Sequence, residues 1–147
     1  MSYVSNTEIQ QRLGSAAYVQ LADDDGDGVA DVVVVDEARL GAEGEVNSYL
    51  ARRFTVPIDL TVHTDLTDIL KTVTLDLIEQ RLRQRRPPVP EATTVRYRDA
   101  MRWLQGVADA KIELPSATPV AAQTLRGPLA QTTGDDRLLS REELSDH

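Results

Sequence analysis

The chain has 147 residues and a formal net charge of −8, with 41% apolar, 27% charged and 4% aromatic residues. This length and composition predict one globular domain with a mainly aliphatic core. The absence of cysteine excludes disulfides and thiolate metal sites. No segment has the features of a secretory signal or of a membrane span, so we expect a cytoplasmic protein that does not bind membranes. The overall acidity argues against general binding of nucleic acid.

Two short helices are predicted near the N-terminus. Ser5 offers an N-cap for the first helix, which is expected to end at Gly14. Ser15 can cap a second helix that continues to Leu21. An acidic, glycine-containing loop follows this second helix.

Three longer helices are predicted downstream. The first covers about residues 32–53, because its apolar residues recur at helical spacing although its β-branched beginning favours a strand locally. The second follows a cap at Thr64 or Asp65 and ends near residue 86, and the third covers about residues 91–110. We therefore predict an all-α fold, a small helical bundle of three long helices and two short N-terminal helices.

The sequence changes character after residue 112. Residues 113–147 are polar, are interrupted by prolines and glycines, and carry isolated apolar residues that cannot form a core of their own. We therefore divide the chain into a helical domain, residues 1–112, and an extended C-terminal arm, residues 113–147. Such an arm is either idle disorder or a binding segment, and its spaced leucines favour binding. The candidate partner-binding residues of the arm are Leu125, Leu129, Leu138 and Leu139.

Charge is unevenly distributed along the helical domain. Residues 22–45 contain nine acidic residues and one basic residue, whereas residues 71–111 contain nine basic and five acidic residues. This distribution suits head-to-tail self-association, in which the acidic segment of one copy meets the basic segment of the next. Solvated helix faces without a partner are the alternative. The candidate partner-binding residues of this domain are Arg81, Arg83, Arg85 and Trp103, the last being either an anchor for a partner or a flank of the core.

The loop at residues 23–31 has the spacing of a calcium site. Aspartates occupy positions one, three, five and nine of an EF-hand loop, and Gly28 occupies position six. Position twelve is Val34 rather than a bidentate acidic residue, so we expect any binding to be weak. The alternative is an acidic surface turn that caps the next helix. We expect that the protein requires no cofactor. The candidate ligands for a bound calcium ion are Asp23, Asp25, Asp27 and Asp31.

The sequence contains no recognisable catalytic motif. Neither His63 nor His147 has evident partners for acid–base catalysis, and no Walker loop, dinucleotide fingerprint or nucleophile elbow occurs. A phosphatase of the haloacid-dehalogenase type would need residues 19–22 to form a strand ahead of Asp23 and Asp25, and the residues that follow depart from that pattern. We therefore expect no enzymatic activity.

Four segments, in order along the chain, carry a family resemblance. They are residues 3–14, the loop at 23–31 with its following helix, residues 48–58 with the sequence SYLARRFTVPI, and residues 95–108 with the sequence VRYRDAMRWLQGVA. Together they resemble the small head–tail connector proteins of Mu-like long-tailed bacteriophages. The part of the chain beyond residue 113 matches no pattern of this family.

This resemblance implies a structural protein of the virion neck that is assembled in the host cytoplasm. Proteins of this family are thought to form a ring, usually twelve-fold, between the portal protein and the stopper or tail-completion protein. The C-terminal arm would reach into the portal, and DNA would pass through the channel without specific binding. The alternative function is a calcium-binding or protein-interaction module that uses the loop at residues 23–31.

Overall fold

The computed structural model describes residues 2–120, and within them the chain is an all-α bundle, as predicted. The helices are α1 (Asn6–Leu13), α2 (Ser15–Ala22), α3 (Val32–Leu50), α4 (Thr67–Gln84) and α5 (Glu91–Ala108), with a 3₁₀ turn at Thr64–Leu66. Strand-type pairing in the described residues is limited to an isolated bridge between Phe54 and Pro119. None of the described helices combines the length and the apolar character needed to span a membrane.

The caps of the first two helices agree with the prediction in part. The Ser5 hydroxyl accepts a hydrogen bond from the Glu8 amide while the Glu8 carboxylate accepts one from the Ser5 amide, which is a capping box. Gly14 ends α1 with a φ of 84°, a backbone conformation that favours glycine. The prediction that Ser15 caps α2 is wrong, because Gly14 takes the cap position and Ser15 is the first helical residue.

α3 is helical although its first four residues are valines. The core side of this helix consists of Val35, Ala38, Ala42, Val46 and Leu50. Burial of this face outweighs the strand propensity of the valine run, because packing of an apolar face contributes most of the stability of a helix in a folded protein. The helix ends at Leu50 rather than at the predicted Arg53.

α4 is the central helix of the bundle. It packs on α1, α2, α3 and α5. Its buried residues are therefore distributed around most of the helix circumference. Its fully buried apolar residues are Leu70, Leu77, Ile78 and Leu82. The predicted cap at Thr64 or Asp65 is wrong, because these residues form the 3₁₀ turn and α4 begins at Thr67. The Asp65 carboxylate instead accepts a hydrogen bond from Ser116.

α5 packs on α3 and α4. Ala100, Leu104 and Val107 are buried, and Tyr97, Met101 and Ala108 are half-buried at the edges of the same apolar stripe. Trp103 is half-buried and packs against the core, so it is at least a flank of the core. The helix ends at Ala108 rather than at Ala110.

The first residues of the predicted arm pack on the helical body. Leu114 and Ala117 are buried and belong to the core. The Val120 amide donates a hydrogen bond to the Arg53 carbonyl at 2.9 Å, in the turn that follows α3. The folded body therefore extends to Val120, beyond the boundary predicted at residue 112. The candidate residues Leu125, Leu129, Leu138 and Leu139 lie outside the described residues.

Candidate functional site: the acidic loop and the arginines of α4

The acidic loop, residues 23–31, begins directly after α2 and ends directly before α3. The Asp31 amide donates to the Ala22 carbonyl at 3.0 Å and closes the loop at its base. Gly26 and Gly28 have φ values of 78° and 82°, which turn the backbone sharply within the loop. The segment 19–22, which a phosphatase fold would need as a strand, is the last turn of α2. The loop therefore stands between two helices, as a calcium loop of the EF-hand type would.

The loop brings three of the four candidate ligands together. One carboxylate oxygen from each of Asp23, Asp25 and Asp27 lies within 4.8 Å of the other two. Asp31 lies outside this group, and its Oδ2 accepts a hydrogen bond from the Asp24 amide at 2.8 Å. Asp31 precedes the first residue of α3 but makes no side-chain hydrogen bond to that helix. Its side chain therefore closes the loop, and it neither joins the carboxylate cluster nor caps α3.

The pKa values of the Asp23 and Asp25 carboxyl groups are shifted in opposite directions. The bond that Asp23 accepts from the Gly28 amide is the largest cause of its lowered pKa. For Asp25, a bond from the Asp27 amide lowers the pKa, but desolvation, the contact with Asp23 and the Asp27 charge together raise it above its usual value. Like charges crowded in this way are the arrangement that a bound cation would relieve.

The loop fits a calcium ion only in part, because calcium takes about six to eight oxygen ligands. The three clustered carboxylates are suitable ligands, but position twelve is the apolar Val34. The next acidic residue, Asp36, accepts hydrogen bonds from Asn6 and Arg39 instead. Glu37 is exposed on α3 and forms no ion pair with another described residue. The donor set is therefore that of a weak site.

If calcium binds this loop, we expect a Kd on the order of 10⁻⁴–10⁻³ M, because the bidentate ligand is missing. Asp25→Ala and Asp27→Ala should each abolish the heat of a calcium titration measured by isothermal calorimetry. Asp99→Ala removes an exposed aspartate from α5 and serves as the matched control that should leave the heat unchanged. No heat and no thermal shift at millimolar calcium would contradict the site, and submicromolar affinity would require a further ligand.

Arginines at the end of α4 hold the acidic loop. Arg85 donates from Nη2 to Asp24 Oδ2 at 2.6 Å and from Nη1 to the Leu21 carbonyl at 2.9 Å. Arg86 Nη2 donates to the Asp23 carbonyl at 2.6 Å. The hydrogen bond and charge of Arg85 lower the pKa of the Asp24 carboxyl group. The acidic and basic segments that the sequence predicts to meet between copies therefore meet within one chain.

The other two candidate arginines of α4 are also engaged within the chain. Arg81 Nη2 donates to Glu45 Oε2 at 2.9 Å, and its guanidinium lies so close to Gly41 that a Cβ there would approach Nη1 to 2.9 Å. Arg83 Nε donates to Glu79 Oε1 at 2.8 Å. Each of these arginines thus stabilises the folded chain, whatever it contributes to a partner.

A buried ionic network joins α1, α4 and α5. Its members are Asp76, Glu79, Arg12, Arg83 and Arg96. Burial raises the pKa of Glu79, but the hydrogen bond and charge of Arg83 and the charges of the other two arginines outweigh burial and lower it. For Asp76, burial outweighs the arginine charges and the pKa is raised. This network was not predicted, although the spacing of Asp76 and Glu79 places both on one face of α4.

The fold and the charged clusters define a small helical-bundle protein, and comparison with known proteins identifies its family. A profile of the family described as "Bacteriophage Mu, Gp36" matches residues 3–131. The chain belongs to this bacteriophage protein family. It is also 30% identical over 117 residues to "Gene product J" of Escherichia phage Mu, which covers 80% of the chain and 78% of that protein. The predicted relationship to proteins of Mu-like phages is thus confirmed at the level of the family. The profile extends to residue 131, so the expectation that the resemblance ends near residue 113 is wrong.

Proposed function

We propose that the chain is a head–tail adaptor, a structural protein that forms a ring between the portal protein and the stopper or tail-completion protein. The observation that carries this proposal is membership of a Mu phage family over residues 3–131, which is most of the chain. The proposed location is the neck of the virion, after assembly in the host cytoplasm. The network of Asp76, Glu79 and three arginines, and the pair of Arg85 with Asp24, connect helices and a loop of the fold, which suits a structural role.

The hydrogen bonds of the N-terminal segment support the proposal of a rigid subunit. Tyr3 is buried, and its hydroxyl donates to Asn47 Oδ1 at 2.5 Å and accepts from the Ile58 amide at 2.9 Å. The Tyr3 amide donates to Glu43 Oε1 at 2.8 Å. These bonds fix the start of the chain on α3 and on the loop that follows it. A segment that is held by several hydrogen bonds has a fixed position, which suits the proposed structural role.

The segment after Val120 is the part that we assign to the portal. Val120, the last described residue, is hydrogen-bonded to Arg53 near the C-terminal end of α3. The leucines at positions 125, 129, 138 and 139 would supply apolar anchors for grooves of the portal protein. DNA would pass through the channel without specific binding, because the acidic chain repels phosphates.

Deletion of residues 121–147 tests this assignment. Because the buried Leu114 and Ala117 are retained, the truncated chain should keep the circular dichroism spectrum and thermal stability of the full chain. Phage that encode the truncated chain should produce filled heads without this protein and without tails, as measured by mass spectrometry and electron microscopy of particles.

A full-length variant with a Gly/Ser sequence at residues 121–147 is the matched control for chain length and should fail in the same way. Tailed particles that contain the truncated chain would show that this segment is not the portal anchor. Truncation after residue 112, in contrast, should reduce thermal stability, because it removes the core residues Leu114 and Ala117.

A calcium-binding module is the second candidate function. The clustering of three carboxylate oxygens within 4.8 Å favours it, and the calorimetric titration described above tests it. The two functions are compatible, because the loop lies between α2 and α3 and not on the segment assigned to the portal.

A further inference from the structure

α3 has an exposed strip along its length that no described residue covers. The strip is apolar near the N-terminal end of the helix, where Val33 is 78% exposed and Leu40 is 62% exposed. Both residues line an open groove of about 710 Å³. Toward the C-terminal end the strip has small residues, and a Cβ at Gly44 would meet nothing within 4 Å, so a second backbone can approach closely there. This surface, the α3 face, consists of Val33, Glu37, Leu40, Gly44, Ser48 and Ala51.

The charge of the α3 face comes from Glu37. This residue is exposed and forms no ion pair with another described residue. The acidic residues at the two edges of the face are paired within the chain, Asp36 with Arg39 at 3.0 Å and Glu45 with Arg81 at 2.9 Å. A segment that fits this face therefore carries a cation between two apolar side chains.

Residues 121–131 of the same chain have this chemistry. Their sequence, AAQTLRGPLAQ, contains Leu125 and Leu129 with Arg126 between them, and it contains no acidic residue. It begins with two alanines, which suit the part of the α3 face that has small residues. Pro128 has no amide hydrogen and favours extended backbone, so this part of the segment needs no strand partner.

The rest of the C-terminal segment fits the α3 face less well. Residues 132–147 contain five acidic and two basic residues around Leu138 and Leu139. Their net negative charge would be repelled by Glu37. Charge therefore selects residues 121–131 over the residues that follow them.

We propose that residues 121–131 dock in extended form along the α3 face of their own chain. The starting point of the segment supports this. Val120, the last described residue, donates its amide to the Arg53 carbonyl at 2.9 Å, just after the C-terminal end of α3. Because residue 121 is bonded to Val120, the segment begins at the C-terminal end of the α3 face. It then lies antiparallel to the helix.

The lengths of the two chains agree with this arrangement. An extended chain advances about 3.3 Å per residue, whereas a helix rises about 1.5 Å per residue. Leu125 is therefore about 17 Å beyond Val120, and Leu40 is about 15 Å from the C-terminal end of α3. Leu129 is about 30 Å beyond Val120, and Val33 is about 26 Å from the same end. The two leucines thus reach the two exposed apolar residues of the α3 face.

The same register places Arg126 beside Glu37, because each is about 20 Å along its own chain. The docking itself does not depend on the adaptor function, but its consequence does. In a free subunit the docked segment holds Leu125 and Leu129, which we assign to the portal, against the body until the portal protein displaces them. The contact is small, so the segment opens locally and its loss changes the thermal stability of the body little.

Trypsin, which cleaves after arginine, tests the docking in the purified full-length chain. In the native chain, cleavage after Arg137 should precede cleavage after Arg126. Leu40→Ser leaves the segment itself unchanged and should speed cleavage after Arg126 on the order of tenfold, because burial of one leucine is lost. Cleavage after Arg137 should keep its rate, as measured by mass spectrometry over time. Val62→Ser is the matched control, because Val62 is exposed but lies outside the α3 face.

Cysteine crosslinking tests the register, since the native chain has no cysteine. Val32→Cys with Ala130→Cys, treated with a short bis-maleimide at low protein concentration, should give an intramolecular crosslink at the mass of one chain. Ala92→Cys with Ala130→Cys is the matched control and should stay uncrosslinked. Ala92 is exposed on α5, about 24 Å from the C-terminal end of that helix, and Val32 is about 27 Å from that of α3.

Charge exchange in the Val32→Cys, Ala130→Cys background completes the test. Glu37→Arg should remove the crosslink, and Glu37→Arg with Arg126→Glu should restore it. The proposal is overturned by equal crosslinking of the two double-cysteine variants, or by equal cleavage after Arg126 in the native chain and Leu40→Ser. Covalent dimers in place of the intramolecular product would also overturn it, because they put a second copy on the α3 face. None of these results affects the adaptor function, which the deletion of residues 121–147 tests separately in particles.

Discussion

Replacing Glu79 by glutamine is expected to lower the free energy of unfolding by about 3 kcal/mol, at the lower end of the range for breaking buried ion pairs. The Glu79 side chain is 5% exposed and faces three arginines of the buried network. Without its charge, Asp76 remains as the anion that pairs with Arg12 and Arg96, and Arg83 loses its carboxylate partner within the described residues. These arginines are partly exposed and retain some hydration, which keeps the loss from being larger. Chemical denaturation followed by circular dichroism measures the change.

Glu45→Gln is the matched control for this variant. Glu45 also pairs with an arginine of α4, but its partner Arg81 is 41% exposed. A pair of this kind contributes less than about 1 kcal/mol, because solvent screens it. Equal losses in the two variants would show that burial does not strengthen the network.

The pH dependence of the Glu79 variant provides an independent check. The pKa of Glu79 is lowered from its usual value of 4.5, so its ionised form stabilises the folded chain above that pH. This contribution is lost as the pH falls through the folded-state pKa. The stability difference between the native chain and Glu79→Gln should therefore shrink below pH 4.5. Asp76 acts in the opposite direction, because its raised pKa makes ionisation unfavourable for folding as the pH rises above 3.8.

The helices could be predicted because each one buries an apolar face with helical spacing. The buried network could not, because its pairs connect distant parts of the chain: Arg12 and Asp76 are 64 residues apart. The spacing of residues within one helix predicts only the contact between Glu79 and Arg83, which lie four residues apart on α4. The packing of Leu114 on the helical body could not be predicted either, because the polar, proline-containing sequence around it has no helical or strand periodicity.

In the acidic loop, too, contacts between residues close in sequence could be predicted, whereas contacts with distant residues could not. Its three clustered carboxylates were predictable, because their spacing lies within one short segment. The arginines that hold the loop were predicted as partners of another copy. Charge asymmetry along a sequence is the same whether two segments meet within a chain or between chains, so it could not reveal that Arg85 reaches Asp24 of its own chain.

Reversing Arg83 to glutamate is expected to destabilise the folded chain by about 3–5 kcal/mol, because it places a second carboxylate beside the buried Glu79. Arg85→Glu should cost less, since it faces the exposed Asp24 and loses its bond to the Leu21 carbonyl. Arg81→Glu should cost about 1 kcal/mol or less, because its pair with Glu45 is partly exposed. Chemical denaturation of the three single variants measures this order.

Arg98→Glu is the matched control for charge reversal. Arg98 is exposed and forms no ion pair within residues 2–120, so its reversal should leave the free energy of unfolding within about 0.5 kcal/mol of the native value. Arg83→Glu should instead reduce the amount of folded chain available to join a particle. If Arg83→Glu proves as stable as the native chain but fails to enter particles, Arg83 contacts a partner directly and the network does not depend on it.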